Sequence, residues 1–230
     1  MGNHKLILLP GLDGTGNLFE PLLNEIQNER SIEVIRYPLN ETLTYAELVT
    51  FVGDKIKNEN SIYIVAESFS GVIALNLLNK YQNKIKGIIL VASFVTPPHK
   101  HLLKLSSLLP VKSLLKLDIP NFLIRRYCLG SEIADAEISK FKSIIKLVNP
   151  NVLVHRLNEI EKLTNNEQLN SNSCKITYIQ ALNDKLVPIR CLKELSSVVT
   201  LETEVVVGPH FLLQAKPKEC AEIILKNTKP

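Results

Sequence analysis

Three short segments of the chain carry side chains that could act together on a carbonyl group. The first is Ala66-Glu67-Ser68-Phe69-Ser70-Gly71, which follows the apolar run Ser61–Val65 and precedes a helical pattern. A serine on a tight strand-to-helix turn projects its hydroxyl out of the chain, provided the residues two before and two after it are small. Ala66 and Ser70 meet that need around Ser68, and Gly71 follows. Ser70 is the rival nucleophile, but it would put Val72 where a small residue belongs. A serine-rich helix N-cap is the plainer reading of the same stretch. The second segment runs from Ala181 to Pro188 and holds Asp184, which could orient an imidazole and stabilise its cation, or merely cap the helix that follows. The third is Gly208-Pro209-His210, where the imidazole could serve as general base. Of the histidines at 4, 99, 101, 155 and 210, only His210 follows a strand-like run and also comes after a loop aspartate. Taken singly, a surface role is the simpler reading of each. Taken together, nucleophile, orienter and base make the set that acyl transfer through a covalent intermediate requires.

For three distant segments to meet, one scaffold must bring them to the same edge. The chain contains six short apolar runs: Lys5–Leu9, Ile32–Arg36, Ser61–Val65, Lys86–Ala92, Lys175–Gln180 and Glu202–Val207. They are rich in β-branched residues and end at turn signals, as buried parallel strands do. Helical periodicity lies between them, in Leu18, Leu22, Leu23 and Ile26, in Leu48, Phe51, Val52 and Ile56, and in Val72, Leu75 and Leu78. Such alternation predicts an α/β fold with about six mostly parallel strands, right-handed crossovers and helices on both faces. In sheets of this kind ligands sit at the carboxyl ends of the strands, where Ser68, Asp184 and His210 fall.

The rhythm breaks over residues 97–165, which read as helices inserted after the fourth strand and bounded by Pro110, Pro120 and Pro150. Residues 1–96 and 166–230 are then the core of the same domain. The 230 residues suffice for one large hydrophobic core, with 45% hydrophobic and 22% charged residues. The net charge of +4 is too small to argue for nucleic acid as a partner. All of the basic excess lies in residues 97–165, with eleven Lys and Arg against six Asp and Glu. No apolar run approaches the ~18 residues of a membrane span, so no integral membrane association is expected. The apolar stretch Leu6–Leu9 is too short for a signal-peptide core, and Leu6 stands where a myristoylation motif wants Ser or Thr. These features point to a soluble, cytoplasmic protein. Cys128, Cys174, Cys191 and Cys220 form no CxxC pair and read as buried free thiols. No zinc-ligand spacing is present, and neither a metal nor an organic cofactor is expected.

The order Ser68, Asp184, His210 is that of the α/β-hydrolases. The loop after the fourth strand run, Ser93–Thr96, offers no competing carboxylate. In that fold two backbone N–H groups hold the oxyanion, one from the residue after the nucleophile and one from a loop after an earlier strand. Phe69 fills the first place. Leu12, in Pro10-Gly11-Leu12-Asp13-Gly14-Thr15-Gly16, is the candidate for the second. A phosphate cradle is the rival reading of these glycines, but their spacing is neither GxGxxG nor GxxxxGK[ST], and Asp13 would repel phosphate. The chain resembles small bacterial α/β-hydrolases with an LPGxDGTG oxyanion loop. The stretches that carry the resemblance are LLPGLDGTGNLFEPL, RYP, YAEL, AESFSG, LVASF and GPHFLLQAKP, spanning Leu8 to Pro217 apart from the insertion. It departs from the commoner pattern in having Ala66 and Ser70 where glycine is usual, and in starting at what is the third strand of the full-size fold.

The resemblance implies a minimal α/β-hydrolase in which Ser68 is the nucleophile, His210 the base, Asp184 the orienter and residues 97–165 a helical lid. It implies a carboxylic ester, small or acyl-chain, as substrate. Plant phytyl-ester synthases are similar in the same loop and add acyl transfer to an alcohol as an alternative. The amphipathic stretch His101–Leu109 places Leu102, Leu105 and Leu109 as candidate acyl-chain contacts, against plain helix packing. The cluster Lys100, Lys104, Lys112, Lys116, Arg125 and Arg126 could face an acidic carrier protein bearing an acyl ester, as in similar lidded esterases that act on pimeloyl-carrier esters, against a merely solvated face. A ligand-binding protein without catalysis is the third class kept open.

Overall fold

A computed structural model of the chain describes residues 4–99, 119–164 and 174–228. One sheet of six strands organises the molecule. In chain order these are β1 (Lys5–Leu9), β2 (Ile32–Val34), β3 (Ile62–Glu67), β4 (Ile85–Val91), β5 (Lys175–Ala181) and β6 (Glu202–Val206). Their spatial order is β2-β1-β3-β4-β5-β6, and every described pairing is parallel. The chain moves one way from β1 to β2, then returns across β1 to lay down β3 through β6. The sheet therefore has its topological switch point between β1 and β3, where a crevice opens at the strand ends.

Side chains alternate across each strand, so its two sides feed two cores. Ile7, Leu9, Ile64, Ala66, Ile88, Leu90, Ile176 and Tyr178 face one layer, with helices α2 (Tyr45–Ile56), α3 (Ser70–Tyr81) and α7 (Ile189–Ser196). Leu6, Leu8, Val65, Ile89, Val91 and Ile179 face the other, with α1 (Glu20–Ile26), the short α8 (Leu212–Ala215) and α9 (Pro217–Asn227). Strands buried on both faces must be apolar throughout, which is why they read as continuous apolar runs rather than alternating ones. Helix α2 starts at a capping box, in which Thr44 accepts from the Glu47 amide while the Glu47 carboxylate accepts from the Thr44 amide.

Between β4 and β5 the described residues form three further helices. These are α4 (Asn121–Ile124, continuing as the π-helical turn Arg125–Leu129), α5 (Asp135–Ile145) and α6 (Pro150–Glu161). They have small cores of their own. Leu18, Ile124, Leu129, Ile138, Phe141 and Ile144 pack together with Phe211 alongside, and Val148, Val152 and Leu153 pack against Leu12 and Leu39. The insertion thus rests on the loop after β1 and on the loop after β6. Leu102, Leu105 and Leu109, with Lys100, Lys104, Lys112 and Lys116, lie outside the described residues.

Candidate active site

The turn after β3 is made by one residue. Ser68 has φ 49°, in the left-handed region that costs a non-glycine residue roughly 1–2 kcal/mol. The last ladder hydrogen bond of β3 runs from the Ser68 amide to the Val91 carbonyl at 2.8 Å, and the Gly71 amide closes the turn on the Ser68 carbonyl at 3.2 Å. Ala92, at the end of the neighbouring strand, has φ 46° and is the only other described non-glycine residue with a positive φ. That second turn brings the Ser93 hydroxyl onto the Ser68 carbonyl at 2.6 Å. The Ser93 carbonyl in turn accepts from the Tyr178 hydroxyl at 3.0 Å. Two strained turns on adjacent strands therefore brace each other, as expected where a site over-determines its backbone.

Ser68 is half-buried, whereas Ser70 is fully buried and occupied. The Ser70 hydroxyl donates to the Pro10 carbonyl, and the Tyr37 hydroxyl lies 2.6 Å from it. Ser70 thus ties the turn to the loop after β1 and has no free path to a ligand. Of the two hydroxyls, Ser68's is therefore the more accessible.

Asp184 and His210 come to Ser68 from the loops after β5 and β6. The His210 ring places Nε2 3.0 Å from Ser68 Oγ and Nδ1 2.7 Å from Asp184 Oδ2. The two side chains are 5% and 6% exposed, so the contact is shielded from competing water. A carboxylate oxygen only accepts, so it fixes the hydrogen on Nδ1 and leaves the Nε2 lone pair facing the serine hydroxyl. The other Asp184 oxygen accepts from the amides of Leu186 and Val187, each at 2.8 Å. That oxygen therefore closes a turn ahead of helix α7, whose N-cap Pro188 receives no side-chain hydrogen bond, so Asp184 does not cap the helix, and its second oxygen stands against the imidazole. The His210 loop is held in turn, with the Phe211 amide donating to the Cys128 carbonyl at 3.2 Å and the Phe211 ring meeting the imidazole edge-on, centroids 5.2 Å apart.

The loop after β1 lies across the switch point from Ser68. It turns through a hydrogen bond from the Gly14 amide to the Gly11 carbonyl at 3.1 Å, with Gly14 and Gly16 both at φ 70°. Asp13 is buried, and its Oδ2 accepts from the amide and hydroxyl of Thr15 at 2.9 and 2.5 Å. Among the described residues, neither the Leu12 amide nor the Phe69 amide has a hydrogen-bond acceptor.

Several residues that sequence reasoning passed over also belong to this neighbourhood. Tyr37 supports Ser70, as above. Glu67, directly before the nucleophile candidate, is 1% exposed. Burial, and then the charge of Asp13, push its carboxyl up to about 7. Arg156, on α6, is 2% exposed and donates to the carbonyls of Leu12, Asp13 and Pro38. A signal for it exists in the sequence, because Val152, Arg156 and Ile160 share one face of α6 and a charge interrupts that apolar stripe. Of the basic cluster, Arg125 is engaged by the Asp135 carboxylate at 3.2 Å and the Ile133 carbonyl at 3.0 Å, and Arg126 lies over the Tyr127 ring. No group of three or more His, Cys, Asp or Glu side chains among the described residues is placed to hold a metal ion. None of the described helices is long and apolar enough to cross a membrane.

The sheet order, the strained turn at the end of β3 and the loop placement define the α/β-hydrolase fold. The family model described as alpha/beta hydrolase fold matches residues 27–121. No curated protein sequence matches the chain. Solved structures match it over almost its whole length. A lipase-esterase related protein from Clostridium acetobutylicum is 15% identical, with a TM-score of 0.75, over 98% of this chain and 95% of that one. An esterase from Exiguobacterium antarcticum is 14% identical, with a TM-score of 0.78, over 97% and 91%. A bromoperoxidase from Bacillus anthracis is 14% identical, with a TM-score of 0.79, over 100% and 93%. At these identities the likeness establishes the fold, which hosts many chemistries, and the function must be argued from the site.

Proposed function

We propose that the protein is a serine hydrolase that cleaves carboxylic esters through an acyl-enzyme, with Ser68 as nucleophile, His210 as base and Asp184 as orienter. The observation that carries this reading is the continuous contact from Asp184 Oδ2 through both ring nitrogens of His210 to Ser68 Oγ, at 2.7 and 3.0 Å. In the first step Nε2 takes the hydroxyl proton as Ser68 Oγ bonds to the ester carbonyl carbon. The carbonyl oxygen becomes an oxyanion, which the amides of Leu12 and Phe69 receive. The bond from carbon to the alkoxy oxygen then breaks, and the imidazolium returns its proton to the departing alcohol. A water molecule deprotonated by the same nitrogen repeats the sequence and releases the acid with Ser68 restored. Asp184 keeps the proton on Nδ1 and stabilises the imidazolium that forms twice in each cycle.

The names of two similar structures, an esterase and a lipase-esterase related protein, agree with the ester as substrate class. The helices between β4 and β5 act in this reading as a lid, and Leu102, Leu105 and Leu109, outside the described residues, are its proposed acyl-chain contacts.

The test is labelling with a fluorophosphonate, beside Ser68→Ala, followed by turnover of p-nitrophenyl esters of increasing acyl length. We expect labelling that the variant loses, and a fall in turnover on the order of 10⁴–10⁶. Wild-type turnover in folded Ser68→Ala would sink the scheme.

A further inference from the structure

We propose that Arg156 is a positioning residue for the oxyanion loop: its guanidinium fixes the Leu12–Asp13 and Asp13–Gly14 peptides, and by anchoring Leu12 from its carbonyl side it restricts the backbone rotation that would turn the Leu12 amide, in the preceding peptide, away from the reacting carbonyl. This rests on the esterase reading above and adds to it a part supplied by the insertion rather than by the sheet.

The contacts are specific to that loop. Nη1 donates to the carbonyls of Leu12 at 2.7 Å and Asp13 at 2.8 Å, and Nη2 donates to the Pro38 carbonyl at 3.0 Å. The guanidinium lies 5.6 Å from the centroid of the Tyr37 ring, the same tyrosine that supports Ser70. No described carboxylate forms an ion pair with Arg156, although it is 2% exposed. A buried charge with no carboxylate in ion-pair contact carries a desolvation penalty that the more distant Asp13 only partly offsets, and an apolar side chain on this face of α6 would serve packing better. What the arginine gains in exchange is a fork of fixed geometry on consecutive carbonyls, which no apolar residue and no lysine can reproduce.

The loop is shaped to receive it. Gly14 has φ 70°, and a Cβ there would stand 2.5 Å from Nη1 and 2.8 Å from Nη2. This glycine of the DGTG stretch is therefore required by both its backbone and its neighbour. Helix α6 is itself secured. The Tyr45 amide donates to the Glu159 carboxylate at 3.2 Å, and Val148, Val152 and Leu153 pack beside Leu12. With its carbonyls held on the α6 side, the loop loses the freedom to flip peptide planes, and its amides stay preorganised. Preorganised donors act where charge develops in the transition state, so their misplacement should appear in kcat rather than in ground-state binding.

The experiment compares Arg156→Met and Arg156→Lys with the parent protein on a p-nitrophenyl ester, and measures inhibition by an aryl boronic acid and by the product carboxylate. The boronate becomes tetrahedral on Ser68 and places an oxygen where the oxyanion sits, whereas the carboxylate reports ground-state binding. We expect kcat to fall roughly 10²-fold with KM within about threefold, as for loss of one oxyanion donor. The boronate Ki should rise by a similar factor while the carboxylate Ki holds. Arg156→Lys, which keeps the charge without the fork, should recover only a small part. If Arg156→Met does not fold, Arg156→Lys and Gly14→Ala carry the same comparison. Wild-type kcat and boronate affinity in any folded variant at Arg156 would overturn the proposal, as would parallel loss of both inhibitors. Ser68→Ala separates the two readings. If it retains turnover, the esterase reading falls. If it is inactive while the Arg156 variants turn over normally, only the positioning role falls.

Discussion

Replacing Glu67 by glutamine should make the protein more stable at neutral and alkaline pH, and the size of the gain can be worked from the site. Glu67 is 1% exposed, and its carboxylate makes no hydrogen bond of good geometry among the described residues, although Gln214 and the Gly11 backbone come near enough to favour its charge weakly. Asp13 Oδ1 likewise has no hydrogen-bond partner among them. The two groups converge on Gly11, where a Cβ would stand 3.5 Å from Glu67 Oε2 and 3.7 Å from Asp13 Oδ1. A buried carboxylate near a second negative charge favours its protonated form, and burial first and Asp13 second raise the Glu67 carboxyl from 4.5 to about 7. In the unfolded chain the same group loses its proton near 4.5. Between these values the unfolded state binds fewer protons than the folded state, so stability falls as pH rises, from about 4.5 until it levels above about 7. At about 1.4 kcal/mol per pH unit over that interval of about 2.5 units, the loss comes to about 3.5 kcal/mol. Glutamine cannot ionise, so it escapes this cost. Urea unfolding of the two proteins at pH 5, 6, 7 and 8 isolates this group, because the other titrations cancel in the difference. Relative to its value at low pH, the advantage of Glu67→Gln should be under about 1 kcal/mol at pH 5 and grow to about 3 kcal/mol at pH 8. Equal pH slopes in the two proteins would refute the argument.

Asp184→Asn should fold normally, because an amide oxygen can still accept from Leu186 and Val187, yet its NH₂ group then faces Nδ1 and favours the wrong imidazole tautomer. Turnover of a p-nitrophenyl ester should fall by about 10⁴ with little change in melting temperature, and retention of more than a tenth of the activity would contradict the orienting role. Gly71→Ala drives a methyl group into Ser93, with Cβ 2.8 Å from Ser93 Cβ and closer still to the hydroxyl that holds the Ser68 carbonyl. It should destabilise the fold by roughly 1–3 kcal/mol, and Ser93→Gly in the same chain should recover part of that loss in thermal unfolding.

How much of this could be read beforehand depends on the range of the interaction concerned. The six strands were legible because a strand covered on both faces must be apolar, and each of the six runs became a strand in nearly the same place. The three loop residues were legible because their order along the chain maps onto neighbouring strand ends once the sheet is parallel. Ser68 could be preferred over Ser70 from the size of Val72, but the stronger reason, that Ser70 is buried on the Pro10 carbonyl, depends on a contact across 60 residues. Arg156 shows the limit of local reading. Its spacing from Val152 and Ile160 marks it as a charge on an apolar stripe, yet the carbonyls it serves lie 144 and 143 residues away. Glu67 is similar, since only the fold sets it against Asp13. Both are polar groups buried against the trend of their segment, and both converge on the loop between Gly11 and Gly14. An interior that tolerates a buried guanidinium without an ion-pair contact on one side of a loop and a raised carboxyl on the other is not optimised for stability. The coincidence of the two at one loop, opposite a serine held in a strained turn, is what a site built to present fixed amides would require.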